Sequence, residues 1–115
     1  MKKLLITGAS GFLGWNIAQY IEKHYKDTWA IIGTYQHNLI NLPNVEAIKI
    51  DLVNTETLTT LFNQHKPDAV IHATAASKPA FCEQQPEEAY AINVFTSLNI
   101  AKLCKEAILT LTTLE

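Results

Sequence analysis

Thr7-Gly8-Ala9-Ser10-Gly11-Phe12-Leu13-Gly14 lies between two stretches of different hydrophobic period. Before it, Leu4-Leu5-Ile6 is a short, unbroken apolar run of the kind that makes a strand buried on both faces of a parallel sheet. After it, Ile17, Ala18, Ile21 and Tyr25 recur at helical spacing and predict an amphipathic helix from Phe12 to about Tyr25. The glycines therefore join a strand to a helix. Gly8 lets the backbone turn sharply off the strand, Gly11 lets a phosphate approach without a Cβ in the way, and Gly14 allows the helix to pack closely on the sheet. Free N–H groups and the positive end of the helix dipole then face an anion. Glycines at this spacing, with a strand before and a helix after, imply a seat for the pyrophosphate of a dinucleotide.

The same alternation continues along the chain. Trp29 to Tyr35 is rich in β-formers and predicts a second strand, with Gln36-His37-Asn38 at its carboxyl end, and Val45 to Ile50 predicts a third. Asn54 or Thr55 caps a helix whose apolar face is Leu58, Leu61 and Phe62, and Pro67 stops it before a strand from Ala69 to Ala73. Pro86, Glu87 and Glu88 suit the start of a long helix reaching about Ala107. On it Ile92, Phe95 and Leu98 lie roughly along one side while Val94 and Ile100 fall elsewhere, so the helix has cover on more than one side, from a homo-oligomer contact through 86–107 or from a missing neighbour. Ile108 to Leu114 is a candidate fifth strand. The expected fold is α/β, a Rossmann-type doubly wound parallel sheet of about five strands in the order 3-2-1-4-5, truncated, in one domain over 1–115.

Bulk properties narrow the function. A chain of 115 residues with 48% hydrophobic and 17% charged side chains has room for one core. The net charge of -2 and scattered Lys and Arg offer no basic stripe, which argues against nucleic acid and membrane as partners. The apolar runs are far short of the roughly 20 residues that span a bilayer. The basic start at Met1-Lys2-Lys3 lacks the apolar region and cleavage site of a signal peptide, so the chain reads as cytoplasmic. Cys82 and Cys104 read as small hydrophobes or idle thiols, and His24, His37, His65 and His72 show no paired metal-ligand spacing.

The glycine spacing resembles that of the short-chain dehydrogenase/reductase superfamily, and Phe12-Leu13 between the second and third glycines looks like its extended branch. Asp51-Leu52 is similar to the acidic-plus-apolar pair that holds the adenine ring there; capping of the next helix is the other reading of Asp51. His72-Ala73-Thr74-Ala75-Ala76 resembles the segment whose small residues let the backbone lie against the cofactor, and mere strand-end packing is the alternative. Lys78 to Asn93, with Phe81-Cys82-Glu83, Pro86-Glu87-Glu88-Ala89 and Ile92-Asn93-Val94, looks like the dTDP-4-dehydrorhamnose reductase family, which reduces the 4-keto group of a nucleotide-linked deoxysugar. The resemblance runs from residue 1 to about 107. It implies a dinucleotide site at Thr7, Gly8, Ser10, Gly11, Phe12, Leu13, Gly14, Tyr35, His37, Asp51, Leu52, Ala73, Thr74, Ala75 and Asn93, with a sugar nucleotide as substrate only of a full-length form.

Two features set limits on that expectation. Tyr35-Gln36-His37-Asn38 offers neither the acid that accepts the ribose hydroxyls of NAD nor an arginine for NADP; loss of the acid removes a repulsion and His37 can reach a 2′-phosphate, so the reading leans to NADP with NAD open. The resemblance also implies a catalytic Tyr-x-x-x-Lys pair with an upstream Ser or Thr. Four residues after Tyr20, Tyr25, Tyr35 and Tyr90 stand His24, Trp29, Leu39 and Val94, so the 115 residues contain no such pair. No catalytic residue is assigned. A non-catalytic dinucleotide-binding regulatory or interaction module is the alternative to an oxidoreductase.

Overall fold

The computed structural model describes residues 1–37, 41–73, 87, 94, 96–107 and 110–113. In chain order the elements are β1 (Lys2–Thr7), α1 (Phe12–Tyr25), β2 (Trp29–Tyr35), β3 (Val45–Lys49), α2 (Thr55–His65), β4 (Ala69–His72), α3 (Thr96–Ala107) and β5 (Thr110–Thr113). The strands pair in parallel as one sheet of order β3-β2-β1-β4-β5, as the sequence predicts.

Alternation along β1 distributes its side chains to two separate cores. Leu4 and Ile6 join Ala9, Ala18 and Ile31 beneath α1, with Ile17 and Ile21 of the helix packed against them. Leu5 faces the other way, into a cluster with Ile32, Val70, the α2 residues Leu58, Leu61 and Phe62, and Ile100 and Cys104 of α3. The unbroken run Leu4-Leu5-Ile6 follows from this: both faces of the central strand are covered, so neither parity is free to be polar. Helices on both faces make the sheet doubly wound.

Local chemistry sets the ends of α2. The Asn54 side-chain oxygen accepts the Thr57 N–H at 3.1 Å, and Lys66 closes the helix in the left-handed region at φ 45°, its N–H bonded to the Phe62 carbonyl. Pro67 then bars continuation. The chain enters β4 through a backbone exchange with β1: Asp68 donates its N–H to the Lys3 carbonyl at 2.8 Å, while its carboxylate accepts the Lys3 N–H at 2.7 Å. This anchors the amino ends of the two strands.

The last helix departs from the expected pattern. It is described from Thr96 onward; Pro86 and most of the following ten residues lie outside the described residues. Its inward stripe is Thr96, Ile100 and Cys104, each buried and four apart. Leu98, expected on an apolar side with Ile92 and Phe95, is 62% exposed. Two residues along a helix turn the side chain by about 200°, which puts Leu98 opposite the stripe that meets the sheet.

Leu58 is fully buried between α2 and the sheet, so Leu58→Ala is expected to lower the unfolding free energy by about 2–5 kcal/mol. Asn54→Ala removes only the cap and is expected to cost about 1 kcal/mol. Urea unfolding followed by circular dichroism checks both; equal losses at the two positions would contradict the packing described.

Candidate dinucleotide site

The parallel sheet brings the carboxyl ends of its strands to one edge, and most of the expected site residues follow from that. Thr7 ends β1 and Tyr35 ends β2, with His37 exposed just beyond; Asp51 follows β3 and Ala73 follows β4. Sheet order reverses between β1 and β4, so the glycine turn and Ala73 flank the switch point where crevices form in open α/β sheets. Thr74, Ala75 and Asn93 lie outside the described residues, as does the segment Phe81-Cys82-Glu83.

The turn is held from behind and open in front. Gly8 has φ of 67°, a conformation that disfavours any residue with a Cβ. The Gly8 N–H donates to the Thr34 hydroxyl at 3.1 Å, and the Ala9 N–H to the Thr34 carbonyl at 3.0 Å. Gly11 donates its N–H back to the Gly8 carbonyl at 3.0 Å. A Cβ at position 14 would lie 2.3 Å from the Gly8 oxygen, so only glycine lets α1 start against the end of β1. At Gly11 the nearest atom to a Cβ would be 3.4 Å away, so the protein itself leaves room there.

In front, α1 begins at Gly11 with no side-chain cap and no acidic residue in its first turn. The first intrahelical bond is from the Trp15 N–H to the Gly11 carbonyl, 2.8 Å. Among the described residues nothing accepts from the N–H groups of Phe12, Leu13 and Gly14. The start of α2 is different, because it has the Asn54 cap and Glu56 in its first turn. The open donors, the helix dipole and the lack of an acidic residue in the first turn leave the α1 start free to accept an anion, unlike the capped start of α2. Phe12 is 88% exposed beside it, and its carbonyl is engaged by the Asn16 side chain at 2.6 Å.

Other expected residues divide by exposure. Asp51 is exposed, with one carboxylate oxygen accepting the Val53 N–H at 3.1 Å and the second oxygen without a described partner. Leu52 is 8% exposed and packed in the α2-side core, where it supports the floor of this edge rather than its surface. Ser10 and Tyr35 are half-buried. Thr34 is the contributor that sequence reasoning misses: inside a β-rich run a threonine reads as a strand former, and its role emerges only once β2 lies beside the turn.

Two ionisable groups are shifted, both by burial. His72 is held below the ordinary imidazole range, and the Cys104 thiol is pushed up, which leaves it protonated and unreactive. Among the described residues no three His, Cys, Asp or Glu side chains gather as a metal site, and no helix is long and apolar enough to cross a membrane.

Fold and turn define the class: a doubly wound Rossmann-type domain of the extended short-chain dehydrogenase/reductase kind. Residues 1–114 match the family described as RmlD substrate binding domain, and the chain belongs to that family. Methionine adenosyltransferase 2 subunit beta of Xenopus laevis is 32% identical over 103 residues, 89% of this chain and 28% of that protein. dTDP-glucose 4,6-dehydratase of Salmonella typhimurium is 35% identical over 83 residues, 65% of this chain and 23% of the enzyme. Among solved structures, a hypothetical dTDP-4-dehydrorhamnose reductase from Sulfolobus tokodaii superposes with TM-score 0.81 at 26% identity, covering 98% of this chain and 38% of that one. The Bordetella bronchiseptica enzyme WbmG, solved in complex with NAD, gives TM-score 0.79 at 27% identity, covering 96% and 36%. The chain thus spans about a quarter to two-fifths of the length of these proteins.

Two outcomes follow from this geometry. Gly14→Ala forces α1 away from β1 and is expected to lower stability by about 1–3 kcal/mol in thermal or urea unfolding; an unchanged midpoint would contradict the close approach. Burial holds the folded His72 pKa below its unfolded value of 6.5, so as pH falls the unfolded chain takes up the proton first. Its contribution is full above pH 6.5 and falls as pH drops below that value. Wild type should therefore lose stability from pH 7 to 5 more steeply than His72→Leu, and parallel pH curves would refute this.

Proposed function

We propose that the chain binds NAD or NADP along the carboxyl edge of its sheet, as the cofactor-binding portion of a nucleotide-sugar oxidoreductase of the dTDP-4-dehydrorhamnose reductase kind. The observation that carries this reading is the uncapped start of α1, where the N–H groups of the exposed Phe12 and Leu13 stand without an acceptor beside a glycine that leaves room for a ligand. The pyrophosphate accepts from those groups and Gly11 keeps the approach clear. Asp51 takes the adenosine end with its second carboxylate oxygen, over a floor that includes Leu52. Ala73, Thr74, Ala75 and Asn93 serve the nicotinamide end.

When bound, the cofactor supplies or accepts a hydride. The chain's own residues orient it. Tyr35-Gln36-His37 brings no carboxylate against a 2′-phosphate, and His37 is exposed beside that position, which supports the lean to NADP. The 115 residues lack the Tyr-x-x-x-Lys pair that would move the proton, so the chain alone is expected to bind without turnover. A second reading, a non-catalytic dinucleotide-binding module, draws on a relative named as a subunit of a methionine adenosyltransferase.

Titration of NADPH and NADH by fluorescence tests the reading. Gly11→Val leaves the sheet and helix in place but fills the approach to the phosphates, and is expected to weaken binding at least about tenfold with an unchanged circular dichroism spectrum. Unchanged affinity would overturn the site. Steady NADPH oxidation by the isolated chain with a 4-keto-deoxysugar nucleotide would overturn the inventory of missing groups.

A further inference from the structure

The seam between β1 and β4 is tied at both ends. The Lys3 and Asp68 exchange holds the amino end. At the carboxyl end Thr7 and His72 are register partners, and alternation from Leu5 and Val70 puts both side chains on the α2 and α3 side of the sheet. The Thr7 hydroxyl oxygen lies 2.6 Å from His72 Nδ1, both residues being buried. The same hydroxyl accepts the Ala73 N–H at 3.2 Å, an N–H that the Thr7 carbonyl also accepts at 3.2 Å.

A hydroxyl has one proton and two lone pairs. With the Ala73 N–H on a lone pair, donation to Nδ1 is the arrangement that leaves the Thr7 proton bonded. Nδ1 is then an acceptor and the ring proton sits on Nε2. Burial acts in the same direction by keeping the imidazole neutral. Nε2 is itself buried and has no partner among the described residues, and an orphaned buried donor costs stability. An apolar side chain of similar size would avoid that cost, so what sets histidine apart here is the Nδ1 acceptor.

We propose that His72 is a positioning residue for the dinucleotide site: as a neutral acceptor it fixes the Thr7 hydroxyl, which in turn holds the Ala73 amide against the end of β1. Thr7 leads directly into the Gly8 turn and Ala73 follows β4, so the bond sets the spacing of the two walls at the switch point. The role rests on the dinucleotide reading given above.

The test compares cofactor affinity in the wild-type chain with His72→Leu, which has no acceptor, and His72→Asn, which offers an amide oxygen near the Nδ1 position. Unfolding midpoints are taken on the same samples. Loss of the acceptor is expected to weaken NADPH binding about tenfold, with Asn returning most of it. Thr7→Val should match His72→Leu, Thr7→Ser, which keeps the hydroxyl, should return most of the affinity lost in Thr7→Val, and the double variant Thr7→Val/His72→Leu should be no weaker than Thr7→Val alone. If His72→Leu does not fold, the Thr7→Val and Thr7→Ser pair decides between the same outcomes. Imidazole ¹⁵N spectra should show Nδ1 unprotonated and Nε2 protonated at pH 7. The opposite tautomer, unchanged affinity in His72→Leu or Thr7→Val, or additive losses in the double variant would overturn the role of His72 while leaving the dinucleotide site intact. A wild-type chain that binds neither NADPH nor NADH removes the dinucleotide reading and this role together.

Discussion

At position 14 no side chain fits. The Gly8 carbonyl lies where a Cβ would stand, and that close approach allows α1 to begin directly over the end of the central strand. Because α1 begins there, Leu4 and Ile6 find cover on one face, and Leu5 is free to pack under α2 and α3 on the other. The same contact aims the helix start, with its unsatisfied N–H groups, across the carboxyl edge of the sheet. Core and candidate site therefore depend on one backbone contact.

The starts of α1 and α2 differ in their local chemistry. Asn54 and Glu56 neutralise the start of α2, which packs quietly on the sheet. Gly11 offers α1 no cap, and no carboxylate stands in its first turn. On the proposed reading, an arriving phosphate would satisfy the donors left open in the protein, and the stability withheld from the free helix would become affinity. Behind the turn, Thr34 on one side and the Thr7 and His72 pair on the other hold it between β2 and β4.

Much of this was legible in the residues. The bounds of α1 and β2 agree with the sequence reading, because a glycine turn and a β-rich run give sharp local signals. Strand order followed from the alternation of elements, and the carboxyl-edge gathering of Tyr35, His37, Asp51 and Ala73 followed from strand order. Strand ends were less legible: Lys2 and Lys3 look like a polar leader yet pair with Trp29 and Ala30 as the first rungs of β1. Side-chain contacts between distant segments were not legible at all. Thr34 meets Gly8 across 26 positions, and Thr7 meets His72 across 65, and neither separation leaves a periodic trace. On α3 the apolar residues fall on several sides, so periodicity alone did not reveal that Leu98 faces outward.

The central claim is that the start of α1 is a phosphate seat, and amide chemical-shift mapping tests it residue by residue. Adding NADPH to ¹⁵N-labelled protein should shift the amides of Gly11, Phe12, Leu13 and Gly14 most strongly, with smaller changes at His37, Asp51 and Ala73 and little change at the capped start of α2. Perturbations confined to the amino edge of the sheet, or equal at both helix starts, would contradict the account.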